Sequence, residues 1–304
     1  MVQLAIGSVL VKRRAAAVAL GALLVATPGA ARAEPILALA NANVLLTFDS
    51  ATPGSTSAVA ISGVGSEQIV GIDFRPATTQ LYGLGSSSNL YLINSLTGNA
   101  ILVGPLGTPL GGTSYGVDFN PTVDRLRVTS DTDQNLRINP AAPGGAGTIA
   151  DSPLAYAAAD ANAGTNPSVG GSAYTNNIPG AITTTLYGID VGLNTLVMQN
   201  PANAGTLLTI GALGFDAPEL LGFDISGMSG TAYAAWATAG GPSLLYTVNL
   251  TSGAAAAVGP IGTGPGQQVI GLAAPTPVPE PSSMALLGMG MLAAMRRLRR
   301  KRAL

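Results

Sequence analysis

Apolar residues fall in short runs along this chain, and the runs come in fours. Between Glu67 and Gly107 they read GIDF (Gly71–Phe74), LYGL (Leu81–Leu84), NLYLIN (Asn89–Asn94) and AILVGPLG (Ala100–Gly107), separated by Pro, Thr, Ser, Asn and Gly. Runs this short, bounded by turn formers, predict four strands joined by tight turns. The phrase then recurs. First-strand copies are GIDF at Gly71, GVDF at Gly116 and GFDI at Gly222, with a degenerate GGSAY at Gly170. Second-strand copies are LYGL at Leu81, LRVTS at Leu126, LYGID at Leu186 and AYAAW at Ala232. Third-strand copies are NLYLIN at Asn89, NLRIN at Asn135, NTLVMQN at Asn194 and SLLYTVN at Ser243, and the fourth gives VGPLG at Val103 and VGPIG at Val258. First-strand glycines stand about 45–55 residues apart, the period of propeller blades.

The ends of the repeat region complete one another. Ile36–Gly63 holds second, third and fourth strands (ILALA, NVLLTFD, SAVAISG) without a first, while Val269–Ala274 (VIGLAA) is a first strand with nothing after it. Together they make one blade. The predicted fold is therefore all-β: a five-bladed β-propeller closed by pairing of the C-terminal strand with the N-terminal three, with short hydrophobic helices at both chain ends. Closure removes sheet edges that would otherwise need protection. A pair of stacked sheets or a β-solenoid is the alternative, but a solenoid leaves its ends open and needs no split repeat.

Composition agrees with strands and narrows the chemistry. The 304 residues are 47% apolar and only 10% charged, with 40 Gly and 21 Pro. Cysteine and histidine are both absent, which excludes disulfides, thiolate nucleophiles, Ser-His-Asp triads and the usual zinc or copper ligands. The near-zero net charge hides a segregation. From Glu34 to Pro281 there are four arginines against all 15 acidic residues, a net charge of −11, while the remaining basic residues lie at the two ends. Such a domain repels nucleic acid and anionic lipid.

The ends read as addresses. Lys12-Arg13-Arg14 precedes the apolar run Ala15–Ala26 and the small-residue site Ala31-Arg32-Ala33, the pattern of a secretory signal cut by signal peptidase after Ala33. Twelve apolar residues are too few to span ~30 Å of hydrocarbon as an anchor. At the other end, Val278-Pro279-Glu280-Pro281 leads into an apolar stretch, Ser282–Met295, and then the basic cluster Arg296–Arg302. A cationic tail of this kind stays cytoplasmic, so the segment makes transient membrane contact. This order resembles the PEP-CTERM sorting signal of exported Gram-negative proteins. The resemblance implies processing near Pro279, Glu280 and Pro281 by an exosortase-type enzyme and delivery to the cell surface or its extracellular matrix; a retained tail anchor is the alternative. The expected organisation is a signal peptide (1–33), a propeller domain (34–275), a Pro-rich linker with the sorting motif (276–281), and a hydrophobic helix with basic tail (282–304).

The central chain has a resemblance of its own. GIDFRPATTQLYGLG, GVDFNPTVDRLRVTSDTDQNLRINP, DANAGTNP, AYTNN, TTTLYGID and QNPANAGTL are similar, in order, to the domain-of-unknown-function 4394 family of exported bacterial proteins. The likeness runs from about Ile36 to Leu272. It implies the repeat fold and export, and it transfers no catalytic residue.

Three constellations could carry chemistry. Asp73, Asp118 and Asp224 occupy one position of three first strands, so they are expected to converge on the central channel. They are either a glycosidase acid/base set or a structural device accepting backbone N–H bonds, the second being favoured. Ala173 stands at the equivalent position of the fourth blade, which a strict repeat device does not explain. In blade 3, Arg127 and Arg137 are expected to face each other across a hairpin whose loop is Ser130–Gln134. Like charges directly opposite need an anion between them. Asp118, Asp124, Asp131 and Asp133 are the internal candidates, and a bidentately gripped anionic ligand, such as a uronic acid of surface polysaccharide, is the alternative. Asp131, Asp133 and Asn135 begin like a calcium loop, but Leu136 replaces the required Gly and no Glu stands at the twelfth position. Asp160-Ala-Asn162 is the other weak calcium candidate; no other cofactor is expected. The expected function is that of a secreted, surface- or exopolysaccharide-associated, non-catalytic propeller that binds glycan or protein, or serves as a matrix spacer. A glycoside hydrolase using the channel aspartates is the runner-up.

Overall fold

The chain folds into strands wherever a run of apolar or alternating residues is bracketed by turn formers. A computed structural model describes residues 33–237, 241–262 and 268–277. The first three strands are β1 (Pro35–Ala40), β2 (Val44–Asp49) and β3 (Thr52–Ala60). A first complete blade follows with β4 (Ile69–Arg75), β5 (Gln80–Gly85), β6 (Asn89–Ile93) and β7 (Ala100–Pro105). The next comprises β8 (Tyr115–Asn120), β9 (Arg125–Ser130), β10 (Asn135–Ile138) and the short β11 (Thr148–Ala150). Then come β12 (Ala155–Tyr156), β13 (Val169–Tyr174), β14 (Leu186–Asp190), β15 (Thr195–Gln199) and β16 (Thr206–Ala212). The last full blade is β17 (Gly222–Ile225), β18 (Ala232–Ala237), β19 (Ser243–Val248) and β20 (Ala255–Pro260), and the final strand is β21 (Val269–Ala273).

These strands form five sheets. The split blade closes as expected: β21 pairs antiparallel with β1, placing Ala38 opposite Leu272 and Leu39 opposite Gly271, and the order runs β21-β1-β2-β3. We number this composite sheet blade 1 and the others blades 2 to 5 in chain order. Blade 4 differs from the expected pattern, because β12 adds a fifth, parallel strand to the outer edge of β16. The helices expected at the chain ends and the Pro279–Pro281 motif lie outside the described residues, and Ala33 is the first of those described. Among the described residues no helix is long and apolar enough to cross a membrane.

Five inner strands, β4, β8, β13, β17 and β21, surround the axis, and each carries a glycine where it crosses its neighbour. A Cβ on Gly71 would stand 2.4 Å from Val117 Cγ2, and one on Gly222 would stand 2.5 Å from the Gly271 carbonyl carbon. The first-strand glycines Gly71, Gly116, Gly171 and Gly222 thus mark contacts between adjacent blades where only a bare Cα fits.

Apolar clusters seal most of the seams between blades. Ile36, Ala38, Leu46 and Phe48 of blade 1 meet Tyr233, Ala235 and Leu245 of blade 5. Leu37, Leu39 and Leu45 of blade 1 pack on Ile69, Ile72 and Leu81 of blade 2. Tyr82, Leu84 and Leu90 of blade 2 pack on Val117, Phe119 and Leu126 of blade 3, and Ile189 and Leu196 of blade 4 on Phe223 and Trp236 of blade 5. Between blades 3 and 4, no apolar cluster among the described residues contains strands of both. Strand alternation explains why. In blade 3, Val117, Phe119, Leu126, Val128, Leu136 and Ile138 face blade 2, so Asp118, Arg127, Thr129, Asn135 and Arg137 take the opposite face.

Candidate functional site: a carboxylate ring on the axis and an arginine seam

Asp73, Asp118 and Asp224 do converge. One carboxylate oxygen of each lies within 4.8 Å of those of the other two, and the residues are 1%, 0% and 1% exposed. They bind the inward-pointing main-chain N–H groups of the inner strands. Asp73 accepts from its own neighbour Phe74 through Oδ1 and from Phe119 of blade 3 through Oδ2. Asp224 likewise accepts from Ile225 and from Ala274, beside β21. Asp118 is turned toward the Tyr174 N–H of blade 4 and the Asp224 carboxyl, but neither of its oxygens makes a hydrogen bond of ordinary geometry. Five N–H groups, one per blade, therefore face three carboxylates with six oxygens. Ala173 and Ala273 occupy the equivalent positions of the remaining two inner strands, and Ile225 and Phe74, which follow those blades around the ring, are satisfied by their own strand's aspartate instead. At Ala173 and Ala273 no carboxylate is needed for the next strand's N–H, because Asp224 and Asp73 each bond two N–H groups.

The local field is strongly unfavourable to anions. Burial, reinforced by the charge of Asp224, raises the Asp73 carboxyl well above its ordinary range. Burial and the charges of Asp73 and Asp224 do the same to Asp118. Burial pushes Asp224 up to about 6, with the Ala274 and Ile225 N–H groups pulling it back.

The second site is the polar seam between blades 3 and 4. Arg127 and Arg137 stand opposite each other in the β9–β10 register, as the hairpin predicts. The anion between them is Asp151, immediately after β11, and none of the four expected internal partners. Asp151 Oδ2 accepts from Arg127 Nη1 at 2.7 Å and from Arg137 Nε at 2.6 Å, and its Oδ1 accepts from Arg137 Nη2 at 2.9 Å. Burial opposes the Asp151 charge, but the Arg137 and Arg127 hydrogen bonds outweigh it and hold the carboxyl below its usual value. Arg127, only 2% exposed, reaches onward to Asn135 Oδ1 at 2.7 Å and crosses to blade 4, donating to Asn203 Oδ1 at 2.7 Å and Tyr174 Oη at 3.3 Å.

The four internal partners that the sequence suggests for this pair lie elsewhere. Asp124 binds Arg75 of blade 2, with Nε to Oδ1 at 2.8 Å. Asp118 is on the axis. Asp131 accepts the Thr113 and Ser114 N–H groups, and Asp133 sits in the turn with φ 66°. The calcium-loop reading also loses its third donor, because Asn135 Oδ1 receives Arg127 and Gln199; a cation and an arginine do not share one oxygen. Asp160 is engaged by the Asn162 and Thr209 N–H groups and the Thr209 hydroxyl.

A cleft of about 410 Å³ opens at this seam, lined by Arg125, Arg127, Arg137, Asn120, Tyr174 and Asn203, among others. Three of the four arginines between Glu34 and Pro281 thus meet at one cleft. Arg125 donates to the Val123 and Asp124 carbonyl oxygens and makes no ion pair among the described residues. Sequence reasoning found the arginines but missed Asp151, Tyr174 and Asn203. The pairing of β11 explains the placement of Asp151: Ala150 stands opposite Leu136, so the next residue falls on the Asn135 and Arg137 face.

Comparison with known proteins supplies family and address but no activity. Solved structures with which the chain shares weak overall likeness include a structural-genomics protein of unknown function from Bacteroides thetaiotaomicron (14% identity, TM-score 0.47, covering 78% of this chain and 60% of that one). Another is TolB from Acinetobacter baumannii (11% identity, TM-score 0.42, covering 75% of this chain and 53% of that one). A third is a putative 6-phosphogluconolactonase from Bacteroides uniformis (14% identity, TM-score 0.39, 77% and 84% coverage). The chain thus spans less than two thirds of the length of the first two. No curated protein matches the sequence. A PEP-CTERM protein-sorting motif matches residues 277–301, the mark of a protein exported and sorted to the surface of a Gram-negative cell by an exosortase. The model of the domain of unknown function DUF4394 matches residues 44–273, which takes in strands of all five blades, and the chain belongs to that family.

Proposed function

We propose that this protein is a non-catalytic binding module of the bacterial surface or its exopolysaccharide, and that it captures an anionic group in the cleft between blades 3 and 4. The observation that carries this reading is the collection of Arg125, Arg127 and Arg137 at one cleft, opposed by the single carboxylate of Asp151, in a domain otherwise dominated by acids. Arg127 is locked by its partners and braces the cleft. Arg125 and the partly exposed Arg137 supply the charge at the mouth, where a planar carboxylate suits the guanidinium fork. The cleft has the volume of an ordinary small-ligand site, and the uronic acid of an acidic polysaccharide fits its sign.

The geometry of the axis supports the non-catalytic half of the reading. A glycosidase holds its two carboxyl groups about 5–9.5 Å apart on either side of an admitted sugar. The axial aspartates are sealed from solvent, which leaves no room beside them for a sugar ring.

The test is binding of the purified protein to acidic and neutral polysaccharides immobilised side by side. Retention on polyuronate that falls with added salt and drops in both Arg125→Ala and Arg137→Ala is expected. Equal retention on neutral glycans, or binding unchanged in both variants, overturns the reading. Sugar release that disappears in Asp73→Asn, Asp118→Asn or Asp224→Asn would restore the hydrolase.

A further inference from the structure

We propose that Asp73, Asp118 and Asp224 form a site for one hard cation of the calcium class, held on the propeller axis. This proposal is independent of the arginine cleft. The acidic cluster alone would not carry it; the state of Asp118 does. Asp73 and Asp224 use both oxygens on main-chain N–H groups. Asp118 is fully buried and points into the same cluster, turned toward the Tyr174 N–H and the Asp224 carboxyl, yet neither of its oxygens makes a hydrogen bond of ordinary geometry. In its ionised form, a buried carboxylate without an ordinary hydrogen bond beside two others is among the costliest arrangements a protein interior can hold, so the cluster must take up either protons or a cation.

No basic side chain relieves it. Arg127 is the direct cross-strand partner of Asp118, yet its guanidinium is committed to Asp151, Asn135, Asn203 and Tyr174 on the far side. Among the described residues, none of the ion pairs involves an axial aspartate.

The donor chemistry selects the ion. With no histidine or cysteine in the chain, the site offers oxygen only, which suits hard cations. Oxygens at most 4.8 Å apart fit around a centre at calcium distances of ~2.3–2.6 Å, whereas magnesium at ~2.0–2.1 Å demands a tighter octahedron. Further ligands can be water. One residue up the axis, among Ile72, Val117, Ser172 and Leu272, lies a cavity of about 10 Å³, close to what one water requires. Because the glycine ring and the buried aspartates leave no wide entrance, the ion is expected to enter as the ring closes and to exchange slowly.

Elemental analysis of the purified protein after gel filtration is the first measurement, and one equivalent of calcium is the expected result. The protein is then unfolded and refolded in chelator, and its thermal midpoint is followed as calcium is added. A rise in midpoint at sub-millimolar calcium is expected. Asp118→Asn, which keeps the shape and removes one charged ligand, should lower calcium affinity by more than about tenfold, since affinity at such sites follows the number of charged ligands. Asp131→Asn should leave it unchanged. A protein that holds no metal and whose midpoint ignores millimolar calcium overturns the site, as does calcium binding that survives Asp118→Asn or is lost in Asp131→Asn. The wild-type measurements decide the matter even if a variant fails to fold.

Discussion

On the axis, three buried carboxylates face main-chain N–H groups, four of which bond Asp73 and Asp224, and among the described residues none pairs with a basic side chain; at the seam between blades 3 and 4, two arginines share one carboxylate. The axial cluster is built from one position of three first strands, and the seam cluster from the second, third and fourth strands of blade 3, where it replaces the apolar packing that fills the other seams. The difference lies in the sign of what is left over. The axis carries surplus carboxylate, the seam surplus guanidinium. An internal repeat supplies equivalent backbone positions, and a few side-chain choices turn them into opposite electrostatic sites.

The comparison can be broken most forcefully at Arg127. Arg127→Met removes a buried cation that ties β9 to Asn135, Asp151, Asn203 and Tyr174, and a loss of about 3–5 kcal/mol is expected from urea denaturation. A loss well below this range would mean that the seam is held by something other than the guanidinium.

On the axis the two kinds of carboxylate should part company. Asp73→Asn leaves one of two bonded N–H groups facing an amide donor, with an expected cost of about 1–3 kcal/mol. Asp118→Asn removes no ordinary hydrogen bond and relieves like-charge repulsion, so in chelator at neutral pH it should be neutral or stabilising. Equal losses in the same urea assay would remove the distinction drawn here between Asp118 and its neighbours.

The pH dependences should run in opposite directions. The axial carboxyl groups are raised in the folded state. Their favourable contribution is fully present below the ordinary value of 3.8 and is lost as pH rises through about 6 for Asp224, and higher for the other two. Asp151 is lowered, so its contribution is present above 3.8 and is lost as pH falls below it. Thermal scans in chelator should therefore show a midpoint that declines from mildly acidic to neutral pH, a decline that is shallower in Asp118→Asn and suppressed by calcium. A midpoint that instead climbs over this interval would reverse the assignment. The smallest effect belongs to Arg125→Ala, whose stability should stay within about 0.5 kcal/mol of the parent while polyuronate retention falls.

Much of the architecture was legible before any coordinates. The missing first strand in Ile36–Gly63 and the orphan VIGLAA gave both blade count and closure, because a four-strand period cannot otherwise be completed. The alternation Arg125-Leu126-Arg127-Val128 placed the arginines on one face, and the Ser130–Gln134 turn set Arg127 opposite Arg137. Other features were hidden. The outer strand β11 is three residues of Thr, Ile and Ala, too weak a pattern to announce itself, and Asp151 went with it. The fifth strand of blade 4 is two residues long and pairs in parallel, where no local turn points to it.

The sequence alone determined what depends on neighbours along the chain: strand length, alternation, turns, the repeat period, the sorting motif and the absence of sulfur and imidazole chemistry. Tertiary structure alone decided which groups meet across blades. Phe119 reaching Asp73, Ala274 reaching Asp224, and Arg127 reaching Asn203 of blade 4 are contacts between residues 46, 50 and 76 positions apart. The reason is geometric. A strand's periodicity tells which face a side chain takes, whereas its partner is set by how closely adjacent blades approach around the ring, a distance fixed by glycines acting together.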